Sequence, residues 1–174
     1  MIRLFVALSL PEDLRARLAA LGGGIEGARW VPAENLHVTL RFIGEVQESV
    51  GEDLVAALDG VRSGPVRVSL SGAGHFGTRD KAHSLWIGVE RTPELVALHE
   101  KTDRALVRAG LPPEPRKYAP HVTLARLRNA RRGRVLDWLA AHGAFFAPPF
   151  EARAFTLFGS RQGHYLPLAE FPLA

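Results

Sequence analysis

One short segment occurs twice in this chain. Leu36-His37-Val38-Thr39-Leu40 returns as Pro120-His121-Val122-Thr123-Leu124, so His121 lies 84 residues beyond His37. Each copy follows a proline-containing loop, with Pro32 before the first and Pro112 to Pro120 before the second. A period this long does not build a stacked solenoid; it marks two equivalent lobes. Alternate side chains of a strand share a face. His37 and Thr39 therefore point one way and Val38 and Leu40 the other, as do His121 and Thr123 against Val122 and Leu124. If a pseudo-two-fold axis relates the lobes, two imidazoles and two hydroxyls meet in one cleft.

That set of groups suits phosphodiester chemistry. A neutral imidazole can take a proton from water while an imidazolium gives one to a departing oxygen. Histidine manages both near neutrality because its ordinary pKa is ~6.5. Threonine hydroxyls can bond the non-bridging phosphate oxygens. The remaining histidines, His75, His83, His99, His142 and His164, lack the short spacings of a zinc site, so neither a metal nor a cofactor is expected. They read as surface or internally satisfied residues. The Gly72–Gly77 stretch has G-x-G spacing but lacks the Gly-Lys-Ser/Thr of a phosphate loop.

Composition narrows the class further. With 174 residues, 47% apolar and 23% charged, the chain reads as one globular domain of two lobes spanning 1–174. It has no cysteine, which excludes disulfides, thiolate metal sites and a cysteine nucleophile, and fits a reducing, cytoplasmic setting. The net charge is +4, and 19 of the 22 basic residues are arginine, the side chain that best fits phosphate. Arg126, Arg128, Arg131, Arg132 and Arg134 form the densest basic run, suited to an RNA backbone. The apolar run after Arg3 is too short for a leader and reads as a buried strand; no stretch reaches the ~20 apolar residues of a membrane span. A monomer without a membrane partner is expected.

Periodicity predicts strands at 3–9, 36–43, 66–70, 85–89, 121–127, 150–158 and 165–168, the last two joined as a hairpin. Helices are predicted from Pro11 towards Leu21 and at 47–58, 93–110 and 133–141. Residues 30–32, the glycine-rich 71–79 and the proline-rich 111–120 read as loops. The class is α+β.

The two His-x-Thr motifs resemble those of the two-histidine phosphoesterase superfamily. Arg3-Leu4-Phe5-Val6-Ala7-Leu8, Trp30-Val31-Pro32, Phe42-Ile43-Gly44-Glu45-Val46, Leu85-Trp86-Ile87-Gly88-Val89 and Ala125-Arg126 resemble one branch of it, the RNA 2′,3′-cyclic phosphodiesterases first described as 2′-5′ RNA ligases. The resemblance implies a bilobal, pseudo-two-fold duplicated fold: two antiparallel sheets face a central cleft, with helices outside. It implies metal-independent hydrolysis of RNA 2′,3′-cyclic phosphate ends to 2′-phosphomonoesters, with 2′-5′ ligation as the reverse reaction. His37 would be the proton donor to the leaving oxygen and His121 the base on water, with Thr39, Thr123 and Arg126 binding the substrate. The motif symmetry does not itself say which histidine is which.

Strand parity objects to Arg126. It lies five residues after His121, on the opposite face of an ideal strand, and needs a bulge or a strand end to redirect it. Phe42 has the same offset from His37 and reads as core packing. Arg41 shares the His37 face and reads as a solvated rim residue; Arg128 lies past the predicted strand and reads likewise. Phe76 and Tyr165 are open between cleft and core. The competing functions are an RNA-end binding module without turnover, or a phosphodiesterase for another small cyclic or 2′-5′ phosphoester.

Overall fold

A computed structural model describes residues 1–78 and 80–174. Its chain order is β1 (Ile2–Ser9), α1 (Glu12–Ala19), β2 (Ala28–Trp30), a 3₁₀ turn (Ala33–Asn35), β3 (His37–Val46), α2 (Glu48–Asp59), β4 (Val66–Gly77), β5 (Ala82–Val89), α3 (Pro93–Arg108), β6 (His121–Leu127), α4 (Arg132–His142), β7 (Phe146–Ala152), β8 (Ala154–Arg161) and β9 (His164–Pro172). The strands form two antiparallel sheets, ordered β3-β1-β8-β9 and β2-β6-β5-β4-β7. The α+β class is as expected. No helix among the described residues is long and apolar enough to cross a membrane.

The sheets interleave the two halves of the chain. The first sheet joins β1 and β3 to β8 and β9 from the far end, and the second takes β4 from the first half. Each lobe is thus closed by strands from the other half. Buried aliphatic residues of both sheets and of the helices form one contiguous cluster, from Leu4 and Val38 to Ile87, Leu106 and Val122. The longest helix, α3, shows how the sequence sets this up. Thr92 accepts a hydrogen bond from the Leu95 amide, Pro93 opens the first turn, and Leu95, Leu98, Thr102, Ala105 and Leu106 line the buried face.

Three local readings need correction. The glycine-rich 71–77 continues β4 instead of looping; Arg79, also placed in that loop, lies outside the described residues. Gly72, at φ +76°, sits in a register shift, and a Cβ on Gly74 would stand 2.3 Å from the Trp86 ring. The glycines admit a bulge and a covering indole, and so mimic a loop signal. The expected strand 150–158 is two strands broken at Arg153, with β7 in one sheet and β8 in the other. Pro148 and Pro149 are tolerated in β7 because it is a sheet edge. Trp30 closes the short strand β2 and does not begin a loop. The β8–β9 hairpin turns through Gln162 and Gly163, both at positive φ, as a two-residue turn requires.

Candidate active site

Strands β3 and β6 carry the repeated segments, and their pairing registers coincide. Ser9, Leu8 and Ala7 oppose His37, Val38 and Thr39; Val6 and Phe5 then oppose Arg41 and Phe42, with Leu40 left over. Gly88, Ile87 and Trp86 oppose His121, Val122 and Thr123; Leu85 and Ser84 then oppose Ala125 and Arg126, with Leu124 left over. Both copies therefore contain a bulge at the same leucine. Burial follows it: Leu40 and Arg41 are both inside, as are Leu124 and Ala125, before exposure returns at Phe42 and Arg126.

The bulge answers the parity objection. One extra residue resets the alternation, which returns Arg126 to the face of His121 and Thr123. The same reset overturns the readings of Phe42 and Arg41. Phe42 is 45% exposed, with the Arg3 guanidinium 5.3 Å above its ring, so it is not core packing. Arg41 is buried on the opposite face, where its Nε meets Asp103 at 2.7 Å and its other nitrogens donate to the carbonyls of Phe42 and Pro112.

Each bulged leucine turns a carbonyl outward, and each carbonyl finds a donor. The Leu124 oxygen accepts from the Val31 amide at 2.8 Å. Strand β3 is a sheet edge, so side chains must serve there. His99 Nδ1 donates to the Leu40 oxygen at 2.6 Å, its ring stacked on Tyr118 at 4.0 Å, and the Tyr118 hydroxyl donates to the Thr39 oxygen at 2.8 Å. Burial pushes the Tyr118 phenol well above its ordinary pKa. His99 is thus an internally satisfied histidine, as expected.

The two imidazoles are held alike. His37 Nδ1 lies 2.7 Å from the Asn35 carbonyl and His121 Nδ1 lies 2.7 Å from the Ala119 carbonyl. A carbonyl only accepts, so Nδ1 carries the proton and each Nε2 is left for chemistry. His37 Nε2 meets the Thr39 hydroxyl at 2.9 Å. That hydroxyl donates to the neutral ring and accepts from the charged one. Phe5 stacks on His37 at 4.8 Å and Tyr165 meets it edge-on at 5.5 Å; Phe76 and Trp86 lie 4.9 and 5.9 Å from His121. Both Phe76 and Tyr165 therefore face the cleft. Phe5 stands in the Arg3–Leu8 stretch that carries the family resemblance, but no site role was read for it beyond the strand it shares with Ala7 and Ser9.

Burial among these rings holds both imidazoles below their ordinary pKa. The carbonyl bonds at Nδ1 oppose that shift, and the positive charge of Arg126 reinforces it for each ring; His121 also acts on His37. His37, His121 and Arg126 are thus within electrostatic reach of one another, from two different sheets. In the basic run that follows, Arg132 pairs with Asp80 at 3.4 Å on the surface. Among the described residues no group of three or more histidine or acidic side chains could hold a metal.

A family model described as LigT like Phosphoesterase matches the chain twice, over residues 8–86 and 87–168, one copy of the motif in each. The chain is 40% identical over 102 residues to an RNA 2′,3′-cyclic phosphodiesterase of Aeropyrum pernix, a match spanning 58% of each protein. It is 32% identical over 136 residues to the protein of that name from Methanothermobacter thermautotrophicus, covering 75% of this chain and 73% of the relative. Among solved structures, TT0787 of Thermus thermophilus superposes with a TM-score of 0.78 at 27% identity, covering 98% of this chain and 97% of that one. Escherichia coli LigT complexed with 3′-AMP superposes with a TM-score of 0.74 at 28% identity, covering 99% and 98%.

Proposed function

We propose that this chain, which belongs to the LigT-like phosphoesterase family, hydrolyses RNA 2′,3′-cyclic phosphate ends to 2′-phosphomonoesters, its two lobes acting as one unit. The observation that carries the proposal is the paired presentation of two Nε2 atoms. Each is fixed by an Nδ1–carbonyl bond at the same offset, and one arginine acts on both rings. The names of the relatives supply the substrate.

His121 Nε2 takes a proton from water as its oxygen attacks phosphorus. The bond from phosphorus to the 3′-oxygen breaks, and that oxygen takes the proton held on His37 Nε2. The 2′-ester remains. Arg126 and the hydroxyls of Thr39 and Thr123 hold the non-bridging oxygens, which gain charge as the transition state forms. No step calls for a metal. With the 5′-hydroxyl of a second RNA in place of water, the same transfers break the bond to the 3′-oxygen and leave a 2′-5′ linkage, the reverse of cleaving such a linkage to a cyclic end.

The depressed pKa values suit a base directly, since the neutral ring dominates at neutral pH. The acid needs its proton back, and the anionic phosphate favours that by offsetting the charge of Arg126. A phosphodiester with a p-nitrophenolate leaving group separates the two roles, because such a group departs without a proton. On it, His37→Ala should recover most of its lost rate and His121→Ala should not. Recovery by His121→Ala alone would reverse the roles, and equal deficits in both would contradict the acid–base division.

A further inference from the structure

A cavity of about 160 Å³ shares His37 as one wall and continues past it between α1, the 3₁₀ turn and β9. Ser9, Asn35 and Tyr165 give it neutral hydrogen-bonding groups, and Arg15 of α1 gives it a cation. The Arg15 Nε is buried and, among the described residues, has no hydrogen-bond partner. Glu34 also lines the cavity but is an exposed residue, and no ion pair between it and Arg15 is formed. A buried donor without an acceptor is uncommon and unfavourable, and an oxygen in the cavity relieves it once the side chain turns its fork toward that space. A guanidinium is the side chain whose fork best matches phosphate.

We infer that this cavity binds the phosphate on the 5′ side of the substrate's terminal nucleoside, with Arg15 as its principal donor. The inference rests on the RNA-end reading given above. In an RNA ending in a 2′,3′-cyclic phosphate, the next anion is the 5′-phosphodiester of the same nucleoside, one ribose away. With the cyclic phosphate between His37 and His121, that ribose lies beside His37, and its 5′-phosphate reaches the wall that Arg15 occupies. The cavity is the size of a few waters, room for a phosphate group but not for a nucleoside. The site would therefore select RNA ends over nucleoside 2′,3′-cyclic phosphates that lack a 5′-phosphate.

Three substrates decide it: uridine 2′,3′-cyclic phosphate, its 5′-phosphorylated form, and the dinucleotide UpU ending in a 2′,3′-cyclic phosphate. Wild-type kcat/KM should favour the two with a 5′-phosphate by about tenfold or more, the worth of one charge-assisted hydrogen bond. Arg15→Met keeps the aliphatic stem and should bring that ratio close to one, and Arg15→Lys should restore part of it. Preference for the 5′-monoester alone would assign the cavity to a terminal phosphate instead of a chain phosphate. Equal losses on all three substrates, or an unchanged ratio, would overturn the inference. A binding arm works without turnover: titration with uridine 5′-monophosphate and with uridine. If wild type cleaves none of the substrates, the RNA-end reading fails. The cavity then stands only if Arg15→Met weakens the monophosphate and not uridine, and it falls if both bind as before.

Discussion

Two histidines alike in sequence, anchoring and surroundings can do opposite jobs only if their protonation differs. Their shared depression and the charge of Arg126 give a clear sign for the pH dependence. The base must be neutral and the acid charged, so kcat/KM is expected to be bell-shaped, with its maximum on the acid side of ~6.5. The two limbs belong to the coupled pair, not to either ring. Arg126→Met removes a charge that lowers both values, so the bell should move to higher pH while KM rises. An optimum that stays in place would show that Arg126 does not act on the rings. His37→Ala and His121→Ala should each reduce kcat by about 10²–10⁴, the usual share of a positioned acid or base.

The same residues bear on stability. Each native imidazole resists protonation that the unfolded chain accepts. The unfolded state then binds more protons, and stability is lost as pH falls from ~6.5 towards the depressed native values. Melting temperatures between pH 7.5 and 5.5 should fall in the wild type and fall less in the double alanine variant. Parallel curves for the two would contradict the depression.

At the scale of the element, the strand bulge decides which side chains reach the cleft. The repeated His-Val-Thr-Leu is legible in the sequence, and so is the shared face of each histidine with its threonine. The bulge at Leu40 and Leu124 is not, because a strand of this composition reads as continuous alternation until its partner's register is known. That is why parity turned Arg126 away from the cleft and why Arg41 and Phe42 exchanged their expected places. The glycines of β4 misled for a related reason, since the ring they accommodate comes from β5. Arg41 has a further consequence. Asp103→Ala leaves a buried guanidinium with carbonyl partners only and frees the Glu114 amide, which bonds Asp103 at 3.2 Å. It should cost about 3 kcal/mol in denaturant unfolding. A cost near zero would mean that Asp103 does not hold the edge of β3 in place.

For the whole molecule, the interleaving of the sheets makes the cleft a product of both halves, with His37 and His121 on strands from different sheets. The α+β class was legible in the strand and helix periodicities, and the duplication in the repeat. The exchange of strands between lobes was not, because 150–158 reads as one continuous strand and carries no mark of the break at Arg153. The net charge of +4 and the basic run after Arg126 favour long anionic substrates. Raising salt should therefore lower kcat/KM for an RNA oligonucleotide more steeply than for a nucleoside cyclic phosphate. Equal slopes would confine the electrostatics to the reacting phosphate.

The measurement that bears most directly on the central claim uses the wild-type protein, a chelator, and an RNA oligonucleotide ending in a 2′,3′-cyclic phosphate. The end should open to a 2′-phosphate and a free 3′-hydroxyl, with the chelator without effect. A 3′-phosphate product, loss of turnover on chelation, or an RNA that binds and stays intact would each contradict paired-histidine hydrolysis of the cyclic end.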